Sequence, residues 1–256
     1  MGNMIIKSGF VEPTVETPSE IDSNYPWSNT SVYARLMWQA RSITANEWTI
    51  VCDFGAATVI GAVMLNDVNF TSVTIQGNDT DSWGGSPSLS QAFTVSEDAE
   101  ATRYKIFCLL TSFNYRYLRI KVPAQSRTDG LAAFRISSRI FLASATALSQ
   151  NPGSYSYYGV YPDPIVNEFF SGGKEIVDQG NNKIIHVGMG YTGLEAQYVS
   201  EISAINKFKP TDNLVFFENL GDTTKCVLCR KDTDIQMSWP NYWVRQTNEI
   251  SFTEVI

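Results

Sequence analysis

Histidine is nearly absent from this chain: His186 is the only one. A His-centred nucleophile triad would have to run through it, yet neither a GxSxG elbow nor an HExxH pair accompanies it. On an alternating strand it reads as a packed or surface residue. Cysteine is scarce too. Cys52, Cys108, Cys226 and Cys229 do not make a disulfide framework at this length. Cys226-Val-Leu-Cys229 lacks the second Cys or His pair that would complete four zinc ligands. On a strand its two thiols point to opposite faces, which suits two buried structural cysteines. No run approaches the roughly 20 apolar residues of a membrane helix, so membrane insertion is not expected. The opening MGNMIIKSGF lacks the apolar core of about 7–15 residues of a signal peptide, and Ile6 stands where a myristoylation motif wants Ser or Thr. These features predict a protein made and folded in the cytosol. Basic residues are outnumbered, 19 Lys and Arg against 26 Asp and Glu, for a net charge of −7. That excludes a non-specific grip on nucleic acid, which needs a basic surface. The carboxylates are scattered and no spacing singles out a catalytic pair. No enzyme constellation, metal site or cofactor site is therefore expected.

What is present is apolar and aromatic residues, 43% and 12%, as in a globular chain. At this length roughly 70% of the unfolded surface can be buried, with no need of staples. Residues 1 to about 30 form a polar, Pro-containing lead-in. From Glu47 onward short apolar runs recur: Trp48, Ile50, Cys52 and Phe54 alternate with Thr49, Val51 and Asp53. Val59–Leu65, Ser72–Ile75, Tyr104–Leu110, Tyr115–Val122 and Phe134–Leu142 follow, bounded by Gly, Asn, Asp, Ser or Pro. Such runs predict an antiparallel β-sandwich, with Trp48, Ile50, Cys52, Leu118, Ile120 and Val122 inward. Around Ala143–Phe170 the composition turns rich in Tyr, Pro and Gly. This places a junction between a sandwich unit, 1–145, and a smaller β-rich unit, 146–256. The latter reads as a hairpin within Ser171–Gly190, one helix at about 192–206, a strand at Asn213–Glu218, and two closing strands around a Pro240-Asn241 turn signal.

Two motifs are decoys. Gly188-Met-Gly190-Tyr-Thr-Gly193 spells GxGxxG between a strand and a helix. However, Thr192-Gly-Leu-Glu195 reads as a capping box, whose carboxylate would fill the helix end that a pyrophosphate needs. The strand before it alternates, as a central parallel strand should not. Glu218 also lies beyond the usual spacing of about 20 residues. Leu194, Tyr198, Ile202 and Ile205 give the helix an ordinary apolar stripe. Asp53-Phe-Gly55 spells DFG without a kinase's catalytic loop or lysine motif.

The stretch Asn46–Gly55, with Trp48 and Asp53-Phe-Gly, followed by Thr58–Leu65, resembles the galactose-binding-like (discoidin-type) β-sandwich. Ser72–Gly77, Asp81-Ser-Trp83 and Tyr115-Arg-Tyr-Leu-Arg-Ile-Lys-Val122 continue the resemblance, over roughly 25–145. Phe134–Leu142, the Tyr/Pro-rich stretch, Gly172-Gly173 and the close Trp239-Pro-Asn-Tyr-Trp243 are together similar to tailed-phage tail-tip and baseplate proteins. The resemblance implies a mainly β fold: a galactose-binding-like sandwich, or jelly roll, plus a smaller β-rich domain with one helix. It also implies a structural, non-enzymatic role in a virion tail assembled in the host cytoplasm. Partners would be other tail proteins (tube, hub or fibres), and the chain would form a homo-oligomeric ring contributing to host-surface attachment. No end-joining cysteine pair is evident, unlike in many secreted discoidin domains.

Three readings stay open: ring assembly, recognition of a host-surface glycan, and an enzyme of unknown type. For assembly the candidate interface is Tyr155, Tyr157, Tyr158, Tyr161, Trp239, Tyr242 and Trp243, because aromatics in loops and near a chain end are costly to leave wet. For glycan recognition the candidate loops hold Asp67, Asn69, Phe70, Asp81 and Trp83, aromatics beside Asp and Asn.

Overall fold

The alternation that marks strands in the sequence sorts side chains onto faces in the computed structural model, which describes residues 4–31, 39–44, 46–162, 165–168, 174–177, 183–219, 222–241 and 244–255. In chain order the strands are β1 (Ile5–Lys7), β2 (Val15–Pro18), β3 (Ala40–Arg41), β4 (Trp48–Val59), β5 (Ala62–Val68), β6 (Ser72–Asn78) and β7 (Leu89–Thr94). There follow β8 (Ser96–Asp98), β9 (Arg103–Leu109), β10 (Asn114–Val122), β11 (Arg135–Leu142), β12 (Ser154–Val160), β13 (Ile165–Glu168) and β14 (Lys174–Val177). The last six are β15 (Ile184–Gly190), β16 (Leu214–Asn219), β17 (Asp222–Lys231), β18 (Met237–Asn241), β19 (Val244–Thr247) and β20 (Ile250–Glu254). One α-helix, α1 (Val199–Asn206), occurs among the described residues. The fold is mainly β.

Two five-stranded antiparallel sheets, β2-β4-β10-β6-β7 and β3-β11-β5-β9-β8, face each other as a sandwich of jelly-roll type. Trp48, Ile50, Cys52, Leu118, Ile120 and Val122 point inward, as the alternation predicts, and pack with Val63, Leu65, Ile106, Cys108 and Phe141. The second sheet is apolar on its other face too. Ala62, Met64, Phe107, Ile140 and Leu142 turn away from the sandwich and bury against Ile5, Val215, Phe217, Cys226 and Leu228. That double burial explains why Ala62-Val-Met-Leu65 has no polar position.

The third layer is a six-stranded sheet, β1-β16-β17-β20-β15-β12. Its first strand, β1, comes from the lead-in and pairs antiparallel with β16. The sheet curls strongly. Tyr155 and Tyr157, on edge strand β12, stack on Phe216 of β16, four places along the sheet, at 6.1 and 6.4 Å. Inside the curl lie Ile185, Val187, Met189, Val227, Cys229 and Phe252, closed over by Leu194, Ile202 and Ile205. Cys226 and Cys229 thus serve opposite faces of β17, as their spacing requires.

The turn between β8 and β9 plugs the open seam of the curl, with Ala101 in its core. Charges there are buried and paired. Lys105 Nζ lies 2.8 Å from Asp98, and the Tyr157 hydroxyl accepts from Lys105 and donates to Asp98. Arg103 pairs with Glu254, which also accepts from the Ile185 N–H.

Four expectations are corrected. The Tyr-rich stretch is a strand, β12, not a loop. The hairpin expected within 171–190 does not form: β14 pairs with β13, and β15 pairs with β12 and β20. Pairing with β12 brings Tyr155 and Tyr157 onto Phe216, burial that a local hairpin would not give. Pro240 and Asn241 end strand β18 rather than forming a turn. The capping box is absent. Thr192 bridges to Gln246, and the N–H groups of Gly193 and Leu194 donate to the Arg245 carbonyl. With this segment tied to β19, the helix starts later, through a 3-10 turn at Ala196–Tyr198, and Glu195 makes no capping bond.

Candidate functional site

One end of the sandwich is built by three segments: the lead-in turn 20–25, residues 41–44, and the loop before β11. Asp22 starts the turn, its carboxylate accepting the Asn24 N–H two residues on, as Asp does in tight turns. The Asp22 N–H donates to the Arg41 carbonyl, and the Arg41 N–H donates to the Tyr25 carbonyl. This lays the Arg41 guanidinium over the Tyr25 ring, 4.0 Å from its centroid. The Arg41 Nε–H is buried and has no hydrogen-bond partner. Between these segments opens a cavity of about 770 Å³, with Asp22, Ser23, Arg41, Ile43, Leu131 and Ala132 in its wall. Its chemistry is mixed: a carboxylate, a planar cation, a hydroxyl and apolar methyl groups.

The candidate glycan-loop residues hold this wall in place rather than line it. Asn69 is fully buried. Its amide donates to Asp129 and to the Ala133 carbonyl, and its oxygen accepts the Arg135 N–H. Asp67, at φ +47°, pairs with Arg135 and accepts from the Ser137 hydroxyl. Phe70 is a core residue, edge-on to Phe134, and is corrected from loop to interior. Local composition shows Asp and Asn beside an aromatic residue. It could not show that Asx-type side chains there bond inward.

Asp81 and Trp83 lie elsewhere, on the outer face of the first sheet. Trp83 donates its ring N–H to Asp81 and lies over the Arg119 guanidinium at 4.4 Å. Burial beneath the ring lowers the Arg119 pKa, against the pull of Glu47 and Asp81. The DFG stretch is structural as well. Arg116 makes two hydrogen bonds to Asp53, which also accepts the Gly55 N–H, and the arginine's bonds bring the carboxyl to a pKa of about 2.

Of the candidate interface, Tyr155 and Tyr157 are spent on the inner face of the curled sheet and are corrected from surface to packing residues. Tyr158, Tyr161 and Trp239 are 49%, 57% and 60% exposed. Tyr158 stacks on His186, while Lys183 and Arg245 lie against Tyr161 and Trp239. Tyr242 and Trp243 lie outside the described residues. Among the described residues no group of three or more His, Cys, Asp or Glu is placed to hold a metal, and no helix is long and apolar enough to cross a membrane. Tyr25 and Arg41 were missed. The signal was the Asp22-Ser-Asn24 turn composition, hidden inside what reads as an extended lead-in.

No protein-family model matches the chain, and no curated protein matches it. Among solved structures, it is similar to the lectin domain of lectinolysin, in a complex with Lewis b: TM-score 0.42, 11% identity, 55% of this chain and 99% of that one. It is similar to a chitosan-binding module from a chitosanase/glucanase of Paenibacillus sp. IK-5: TM-score 0.38, 18% identity, 52% and 96%. A truncated AlyQ with CBM32 and alginate lyase domains aligns over 84% of this chain and 55% of that one, at TM-score 0.39 and 14% identity. Likenesses this low do not establish a shared function.

Proposed function

We propose that the sandwich end binds a carbohydrate of a host surface, in the cavity between Asp22, Arg41 and Leu131. The observation that carries this is the open cavity itself, whose wall sets the Asp22 carboxylate and the Arg41 guanidinium, held flat against Tyr25, beside Leu131 and Ala132. A sugar presents the matching set: hydroxyls that donate to Asp22, oxygens that accept from Arg41, and a C–H face that lies on Leu131 and Ala132. The resemblance to galactose-binding-like sandwiches agrees with this reading. The test is a glycan array followed by titration calorimetry on the best ligand. Arg41→Ala and Asp22→Ala each weaken binding at least tenfold. Binding to no glycan, or variants that bind like the wild type, overturns the reading.

A second reading, that the chain is a structural component of a phage tail tip or baseplate, draws on the solvent-exposed Trp239 and Tyr161. Exposed aromatics of this size favour protein contacts. In that setting the glycan site would serve host attachment. Trp239→Ala, folded but excluded from particles, supports it. Normal incorporation, or absence of the protein from any virion, removes it.

A further inference from the structure

The glycines of Gly188-Met-Gly190 have no part in the site described above. They lie on the outer face of the curled sheet. The strand register puts Ser156 beside Gly188 and Ser154 beside Gly190 on one side, with Ser251 of β20 beside Gly188 on the other. The result is a trough of about 290 Å³ floored by two residues without side chains. Ser154, Ser156, Thr192, Thr247 and Glu249 stand around it. One step further along the strands, Tyr158 pairs with His186, and the half-exposed tyrosine ring stacks on the imidazole at 5.6 Å and 22°.

Both positions are glycine because the polar side chains of the wall lean over them. A Cβ at Gly188 would meet the Glu249 carboxylate and the Ser156 hydroxyl, and one at Gly190 would meet the Ser154 hydroxyl. Neither glycine has a left-handed φ, so the backbone does not require them. The space does. His186 is fixed by its neighbours. Thr253 gives its proton to Asp232, so its oxygen receives Nδ1–H from the imidazole.

We infer that this trough is a second saccharide site, distinct from the sandwich end, which takes one uncharged or amine-bearing hexose ring. Glu249 accepts from a vicinal diol or an ammonium group, the serine hydroxyls bond the remaining oxygens, and the ring's C–H face rests toward Tyr158. A lone carboxylate in a hydroxyl-lined trough of an acidic chain disfavours a carboxylated sugar, through like-charge repulsion.

Saturation-transfer NMR and calorimetry with glucose, glucosamine and glucuronate test the site on the full chain. Binding of glucose supports it, with Glu249 taking a diol. Stronger binding of glucosamine supports it, with Glu249 taking the ammonium. Gly188→Val fills the floor by displacing only flexible side-chain ends, and it abolishes binding. Glu249→Gln changes an exposed group, so the protein stays folded, and it weakens glucosamine at least tenfold. Arg41→Ala leaves this binding intact, which separates it from the sandwich-end site. No binding by any of the three sugars, equal binding of glucuronate, or unchanged affinity in a folded Gly188→Val variant overturns the proposal.

Discussion

Phe107 of the sandwich and Phe217 of the curled sheet lie face to face, ring centroids 4.3 Å apart and 15° from parallel. Both are fully buried. They sit at the centre of the apolar layer joining the two halves, so the halves share one core. Either residue changed to alanine should cost about 3–5 kcal/mol, the usual range for a buried Phe. The loss should appear as one cooperative transition moved to lower denaturant, seen alike by fluorescence and far-UV circular dichroism. Two separated transitions in the wild type would show that the halves unfold independently.

Acid should loosen the seam. Burial alone would raise the Asp98 pKa, but Lys105 and the hydrogen bonds from Lys105 and Tyr157 outweigh it and hold it below 3.8. A carboxyl lowered in the folded state adds stability above its unfolded pKa and loses it as pH falls through the folded one. Stability should therefore decline below about pH 4. Lys105→Met should flatten that acid limb. It should also cost about 3–5 kcal/mol at neutral pH, since it strands a buried carboxylate. An unchanged acid limb in this variant would refute the assignment.

Asp53 offers a local version that NMR can follow. Its carboxyl should titrate near 2 and return toward 3.8 in Arg116→Ala, because the arginine's hydrogen bonds are the main cause of the shift.

Thiol reagents should find nothing in the native protein at pH 8. All four cysteines are buried, and burial raises each thiol pKa, that of Cys226 to about 12. The thiolate is the reactive form, so labelling should wait for unfolding. Rapid labelling of Cys226 or Cys229 under native conditions would contradict the packing of β17.

Asn69→Ala should weaken sugar binding at the sandwich end without touching the ligand. It removes three hydrogen bonds that fix the loop before β11. Its signature is a loss of both stability and affinity. Glu195→Ala, by contrast, should change stability by less than about 0.5 kcal/mol, because its carboxylate caps nothing.

The sandwich was legible because its strands alternate or run wholly apolar, so Trp48 and Leu118 announce their own burial. The curled sheet was not. Apart from the β16–β17 hairpin its pairings join segments well apart in sequence, and Tyr155 and Tyr157 look like surface residues until Phe216 is placed beneath them. Lys105 and Arg103 carry no mark of burial, since only the β8–β9 turn's insertion removes them from water. At the candidate site, local composition shows Asp67, Asn69 and Phe70 as a polar loop with an aromatic residue, but not that Asn69 and Phe70 are buried. Asn69 bonds inward and Arg41 lines the cavity, and the difference lies in which way a side chain turns.

Strand β1 has a consequence for synthesis. Its residues leave the ribosome before the whole sandwich, yet the strand they pair with, β16, emerges after it. The sandwich can close while Met4, Ile5 and Ile6 still lack a partner. Pairing over such a span is slow, and an unpaired apolar strand is prone to misassociate. A nascent chain stalled short of Leu214 should therefore be recognised by chaperones through β1, after the sandwich has folded.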